Sequence, residues 1–388
     1  MSVCGGHRRI PPSLDLATVL SRFAPPVESL NWARARVLRA ITSCRTAVLG
    51  GHLYECDDCG FTTPQYNSCR NRHCPRCQSL NQARWVEAQS RHLLPIPYFH
   101  LVFTVPDSLH PLFLRDPRQT YNLLFAAVSA TLLEVCERRL GATPGFTAVL
   151  HTWTQTLLFH PHIHCIVTGG GLSRDGRRWI TTRPSFLVPV RALSKVFRGK
   201  LLEALEAALK NQELRTSSSF GIRLLRQTSP KWVVYCKPPM AGPKQVLRYL
   251  GRYTQRIAIG NERLLSIDDT HVTFRCKDRD RNQTRPLRLP GSAFVRRFLL
   301  HALPRRFVRI RHNGLLANAV RATRLASARA LLHDPAPPEP RYPPKESWRD
   351  LYIRLTGRDP ARCPACGSPC FVVVEHLPRL PLPTARSP

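Results

Sequence analysis

The chain has 388 residues, enough for two or three domains with real hydrophobic cores. It carries 58 Lys and Arg against 25 Asp and Glu, a formal charge of +33, and 50 of those cations are arginine. An excess of one sign on this scale points to a polyanionic partner, nucleic acid first and a membrane surface second, because the guanidinium fork grips phosphate with two hydrogen bonds. No apolar run approaches the roughly 18 residues of a membrane span, and the opening MSVCGGHRRIPPS lacks a hydrophobic signal core. The expectation is a cytoplasmic protein without a membrane segment. Its 14 cysteines then read as metal ligands or structural thiols rather than disulfides.

In chain order, helices are expected at 13–23 and 31–49, the second with arginines between its apolar positions. Next comes HLYECDDCGFTTPQYNSCRNRHCPRCQ, from His52 to Gln78. Cys56-x2-Cys59 and Cys74-x2-Cys77 are two knuckles, and four thiolates close a tetrahedral zinc site with no open position for chemistry. Cys69 and His73 lie between them and could replace a ligand or build a second site. Arg70, Arg72 and Arg76 flank the ligands, so the knuckle is expected to touch DNA as well. A helix at 79–94, a strand at 98–106, a long helix at 118–140 and a strand at 145–153 follow.

The densest chemistry is FHPHIHCIVTGGG, Phe159 to Gly171. Side chains two apart on a strand share a face, so His160, His162 and His164 can line one side while Ile163, Cys165 and Val167 pack on the other. Neutral imidazole is the commonest metal ligand, and two or three on a rigid strand leave positions open for a substrate. The glycines fit an abrupt end to the strand. An edge strand at 179–182, an amphipathic helix at 190–214 and a strand at 232–236 come next. In GPKQVLRYLGRYTQRIAI, Gly242 to Ile259, Tyr249 and Tyr253 stand four apart on one face of a helix, with Gln245 a turn earlier and Arg248, Arg252 and Arg256 interleaved. A phenol among cations can act as a nucleophile toward phosphorus. Taken alone, the same pattern suits an ordinary amphipathic helix.

A β-meander is expected at 263–268, 271–277 and 284–289, then a helix at 291–303. RRFVRIRHNG, Arg305 to Gly314, alternates basic and apolar residues and would present Arg309 and Arg311 to phosphates, or form a solvated edge. After a helix at 317–332, HDPAPPEPRYPPK is a Pro-rich linker. In CPACGSPC beyond it, Cys363 and Cys366 pair, and Cys370 or His376 would have to complete any zinc site. The tail from Leu377 reads as disordered. This alternation suits an α+β protein with an antiparallel sheet flanked by helices, preceded by a small zinc-binding domain. The expected boundaries are 1–95 for the N-terminal helical and zinc-binding domain, 96–332 for the catalytic domain and 333–388 for linker, knuckle and tail.

The order of cysteine knuckle, His-hydrophobe-His strand and Tyr-x3-Tyr helix resembles the HUH transposases of the insertion sequence 91 family. The stretches that carry the resemblance are NSCRNRHCPRCQ, HTWTQTLLFHPHIHCIVTGGGL, VLRYLGRYTQRIAI and FVRIRHNGLLAN. It implies an HUH-type sheet in which His162 and His164 hold Mg2+ or Mn2+ against a scissile phosphate, with Gln245 or His160 as third ligand. It implies that Tyr249 and Tyr253 form 5′-phosphotyrosine links with single-stranded DNA at mobile-element ends and target, in rolling-circle transposition in the bacterial cytoplasm beside the nucleoid. A rolling-circle replication initiator or relaxase would share this chemistry, and a non-catalytic zinc-dependent DNA-binding protein would share its cysteines and charge.

Overall fold

The computed structural model describes residues 14–228, 231–240, 245–246, 251, 258–278, 283–334 and 346–380. The chain opens with α1 (Leu16–Phe23) and α2 (Trp32–Thr42). Each starts on a side-chain cap: Asp15 Oδ1 accepts from the Thr18 amide at 2.9 Å, and Asn31 Oδ1 from the Arg34 amide at 3.1 Å. Strands β1 (Gly51–Cys56) and β2 (Thr62–Tyr66) follow, then α3 (Pro75–Ser90), with Pro75 in its first turn.

The central sheet is built from β3 (Tyr98–Thr104), β4 (Ala142–Trp153), β5 (Phe159–Ser173), β7 (Val234–Met240) and β11 (Ile310–Gly314), in the order β11-β4-β5-β3-β7. The short β6 (Trp179–Thr181) adds to β5. Every pairing is antiparallel. Helices α4 (His110–Arg115), α5 (Pro117–Leu140), α6 (Val190–Lys210) and α7 (Ser218–Arg226) accompany this sheet. Ile163, Cys165 and Val167 of β5 are fully buried in one cluster with Leu124, Val128 and Leu132 of α5 and Phe197 and Leu201 of α6. Burying aliphatic side chains of this size contributes about 1.5–3 kcal/mol each, so the odd-numbered face of β5 fixes its register.

The glycines of β5 do not end the strand, which runs on to Ser173. They mark close backbone approach instead. A Cβ on Gly169 would lie 2.7 Å from the Pro97 carbonyl, and one on Gly171 would lie 2.4 Å from the Thr143 carbonyl.

The meander is present as β8 (Leu264–Ile267), β9 (His271–Asp278) and β10 (Gln283–Pro290), followed by α8 (Gly291–Leu299). Phe274, Phe294 and Phe298 from this unit share a core with Leu16, Leu20 and Ile41, so it packs against the N-terminal helices. Helix α9 (Arg321–Leu331) comes next. The C-terminal segment adds α10 (Trp348–Thr356) and β12 (Phe371–Leu377). β12 pairs with β1 in a three-stranded sheet ordered β12-β1-β2, carrying the chain back to its N-terminal domain. Residues 381–388 lie outside the described residues.

Candidate active site and cysteine clusters

Strand register assembles the histidines. In β3–β5 pairing, His162 faces Thr104, His164 faces Val102 and Ile166 faces His100. In β4–β5 pairing, His151 faces His162 and Val149 faces His164. Paired residues share a side of the sheet, so His151, His162, His164 and His100 stand together opposite the hydrophobic core. His151, His162 and His164 are buried, and their ligand atoms lie within 4.8 Å of one another. His162 Nδ1 lies 2.6 Å from the His160 carbonyl, which can only accept. Nδ1 of His162 therefore carries the proton, and Nε2 keeps its lone pair for a metal. His164 Nδ1 meets Nε2 of His100 at 2.9 Å with the rings stacked. Burial, with Lys237 and His162 adding to it, pushes His100 down to about 3, so it supports His164 as a neutral ring.

His160 does not join this trio. Its ligand atom groups instead with Asp107 and His110. The third imidazole is His151, which spacing could not reveal because it sits across the β4–β5 hairpin, whose register shifts between His151 and Trp153. Gln245 is helical and exposed, and Val246 beside it is fully buried among Tyr98, Ile166 and Leu172. Ile166 and Tyr98 lie on the histidine side of the sheet, so the chain enters its tyrosine-bearing stretch from that side. Tyr249 and Tyr253, with Arg248, Arg252 and Arg256, lie outside the described residues.

The four cysteines expected to close one zinc site are divided between two clusters. Cys74 and Cys77 group with Cys44 and Cys69, and Cys56 and Cys59 group with Cys363 and Cys366. The reason is topological: Cys44 follows α2, Cys74 caps α3, and the β12–β1 pairing draws Cys56 toward the C-terminal knuckle. Neither Cys370 nor His376 belongs to either cluster; the His376 ring lies 4.7 Å from that of His52 across the strand pair. In the first cluster, Cys44 and Cys69 both approach Cys77, at 3.6 and 3.7 Å. The neighbouring thiols of Cys44, Cys69 and Cys74 lower the Cys77 thiol below its usual range.

Several arginines expected on the DNA side are engaged internally. Arg76 pairs with Asp15 and donates to the Cys44 carbonyl, and Arg72 donates to the Phe307 carbonyl. Around Arg309 the expected alternation is inverted: Val308 is 60% exposed and Arg309 only 7%. Burial lowers Arg309 to about 10. Arg311 lies 4.1 Å over the Phe125 ring and bonds Asn122 Oδ1.

A family model described as "Transposase zinc-binding domain" matches residues 16–105, and one described as "Putative transposase" matches 145–324. The chain is 46% identical over 361 residues to "Putative transposase y4qJ" of Sinorhizobium fredii, covering 89% of this chain and 90% of that one. The chain belongs to the insertion sequence 91 family of transposases. This transposase is also 28% identical over 342 residues to "Transposase for insertion sequence element IS801" of Pseudomonas savastanoi pv. phaseolicola, covering 84% of this chain and 80% of that one. No solved structure matches it. It is a DNA-processing enzyme with an N-terminal zinc-binding domain, and Cys44, Cys69, Cys74 and Cys77 fall wholly within the matched stretch. No helix among the described residues is long and apolar enough to cross a membrane.

Proposed function

We propose that this transposase nicks single-stranded DNA at the ends of its element and transfers the strand through a 5′-phosphotyrosine link, as in rolling-circle transposition. The observation that carries the reading is the clustering of His151, His162 and His164 on the same side of the central sheet that receives Val246, the residue three before Tyr249. The donor set fits a divalent cation: three buried imidazoles converge, and the His160 carbonyl holds the proton of His162 on Nδ1. Of the two cations the family resemblance implies, Mn2+ takes imidazole nitrogen more readily than Mg2+, while zinc or nickel would bind three imidazoles more tightly than either. Bound there, the cation supplies polarisation of a phosphoryl oxygen and screening of its charge.

The chain's own groups do the rest. The hydroxyl of Tyr249 or Tyr253 gives up its proton to solvent as its oxygen attacks phosphorus; the P–O3′ bond breaks, and the leaving 3′ oxygen takes up a proton from solvent. The strand keeps its energy in the phosphotyrosine ester, so the second tyrosine can open another strand while the first link persists, without ATP. Gln245, one turn before Tyr249 in sequence, would serve as an auxiliary ligand or substrate contact.

The test is an incubation of single-stranded oligonucleotide bearing the element end with the transposase and Mn2+. A denaturation-resistant protein–DNA adduct is expected, and Tyr249→Phe with Tyr253→Phe should abolish it while DNA binding persists. Undiminished adduct in that double variant would remove these tyrosines from the mechanism.

A further inference from the structure

The second cysteine cluster is the strongest feature that the strand-transfer reading leaves unused. Cys363 and Cys366 lie beyond both matched stretches, which end at residues 105 and 324. We propose that Cys56, Cys59, Cys363 and Cys366 hold a second structural zinc, and that this ion clasps the C-terminal segment to the N-terminal domain.

The two halves are near copies. In the first, CDDCGF, the Gly60 amide bonds the Cys56 carbonyl at 2.8 Å and the Cys56 amide bonds the Phe61 carbonyl at 3.0 Å. In the second, CPACGS, the Gly367 amide bonds the Cys363 carbonyl at 2.8 Å and the Cys363 amide bonds the Ser368 carbonyl at 2.9 Å. Both glycines take positive φ, +67° and +77°, which folds each Cys-x2-Cys-Gly into the same tight knuckle. Each knuckle contributes one buried and one exposed thiol, Cys56 with Cys59 and Cys363 with Cys366.

The sulfurs are spaced for an ion rather than a covalent bond. Cys56 Sγ lies 3.6 Å from Cys366 Sγ, and Cys59 Sγ lies 3.7 Å from Cys363 Sγ. A disulfide requires about 2.05 Å. A tetrahedron of sulfurs each about 2.3 Å from zinc has edges near 3.8 Å. Each contact joins one knuckle to the other, and all four ligand atoms fall within 4.8 Å. Four sulfurs in this shape suit zinc or iron, and zinc requires no electron-transfer partner.

The segment also needs such a clasp. The core beneath it comprises Cys56, Cys363 and Phe371, with Tyr54 against them. Val372, Val373 and Val374 of β12 are each more than 40% exposed, so little apolar burial holds the strand to β1. Its anchors include the strand register from Gly51↔Leu377 to Cys56↔Phe371, the Asp57 amide on the Cys370 carbonyl, the Ser368 hydroxyl on Asp58, the buried Leu351 and an exposed Arg354–Glu87 ion pair at 2.9 Å. A pair of that kind contributes little in water. Four thiolates on zinc supply what the missing core does not, with the thiol protons released to solvent.

The experiment counts zinc in the full-length transposase, by elemental analysis and native mass spectrometry, in a His162→Ala, His164→Ala background that removes the imidazole site from the count. Two zinc ions per chain are expected, falling to one in Cys363→Ser, Cys366→Ser. One zinc in the parent, iron in place of the second zinc, or two zinc ions retained without Cys363 and Cys366 would each overturn the proposal. Hydrogen exchange supplies the independent reading. Amides of β1 and β12 should lose protection at least tenfold in the cysteine variant while β4 and β5 keep theirs, which also shows that the variant is folded. Unchanged protection of β12 would refute the clasp.

Discussion

Replacing His151 by alanine separates the site seen in the structure from the one expected from spacing. His151 is 3% exposed, its ring lies 4.5 Å from that of His164, and its ligand atom belongs to the trio. Changes in the groups that merely support a metal ligand cost about 10–100-fold in metal affinity. Losing one of three imidazoles should reach at least the upper end, about 100-fold, or ~2.7 kcal/mol. His160→Ala provides the contrast, because its hydrogen bond to His162 Nδ1 comes from the backbone carbonyl and survives truncation of the side chain. That variant should stay within about threefold of the parent. Titration of Mn2+ followed by electron paramagnetic resonance reads both affinities near neutral pH, and adduct yield at limiting Mn2+ should follow the same order. If His160→Ala weakened binding as much as His151→Ala, the assignment of the third ligand would be wrong.

Fully buried His301 lies 3.2 Å from Thr152 Oγ1 through Nδ1 and 3.1 Å from the Leu157 carbonyl through Nε2, and burial pushes it down to about 4. The unfolded chain therefore takes up this proton first, and the stability it contributes, present above about 6.5, is lost as pH falls toward 4. Urea unfolding should show roughly 2 kcal/mol more loss between pH 7 and pH 5 in the parent than in His301→Gln; identical pH dependence would refute it. Gly314 has φ +62°, and a Cβ there would lie 1.9 Å from the Pro144 carbonyl oxygen, so Gly314→Ala should lower stability by at least about 2 kcal/mol, read as a fall in the urea midpoint. Affinity for single-stranded DNA should fall with salt at a log–log slope of about −4 or steeper, for roughly six phosphate contacts, and a slope shallower than about −2 would count against the basic surface as the grip.

What could be read from the sequence follows the range of the interactions involved. Alternation along β5 is local, so the sharing of a face by His162 and His164, with Ile163, Cys165 and Val167 behind them, was legible. The meander and the long helix α5 were legible for the same reason. His151 was not, because its partnership with His162 depends on a hairpin whose register shifts between His151 and Trp153. Cys44 and Cys363 were harder still: Cys44 stands 33 residues from Cys77 with no paired cysteine beside it, and Cys59 meets Cys363 across 304 residues. Three Cys-x2-Cys half-sites, Cys56/Cys59, Cys74/Cys77 and Cys363/Cys366, suggest pairing but never say which half joins which. The inversion at Val308 and Arg309 shows the opposite limit, since a basic–apolar alternation fixes two faces without saying which one is buried.

The cysteine cluster of the zinc-binding domain has a mechanical reach that its distance in sequence conceals. Cys74 is the N-cap of α3, and Cys77 lies in its first turn, so the cluster sets where that helix begins and how it points. Gln82, one turn further along α3, donates its side-chain amide to the carbonyl of Gly251, midway between Tyr249 and Tyr253. Val86 follows at the next turn, and its Cγ2 would lie 3.2 Å from a Cβ on Gly251, so a side chain there would crowd the α3 contact. Glu87 then takes the ion pair with Arg354 of the C-terminal segment. Helix α3, which starts within the cysteine cluster, thus meets Gly251, while Val246 packs against the sheet. On this geometry, rotating α3 at its capped end would move the backbone of Gly251 relative to the three histidines.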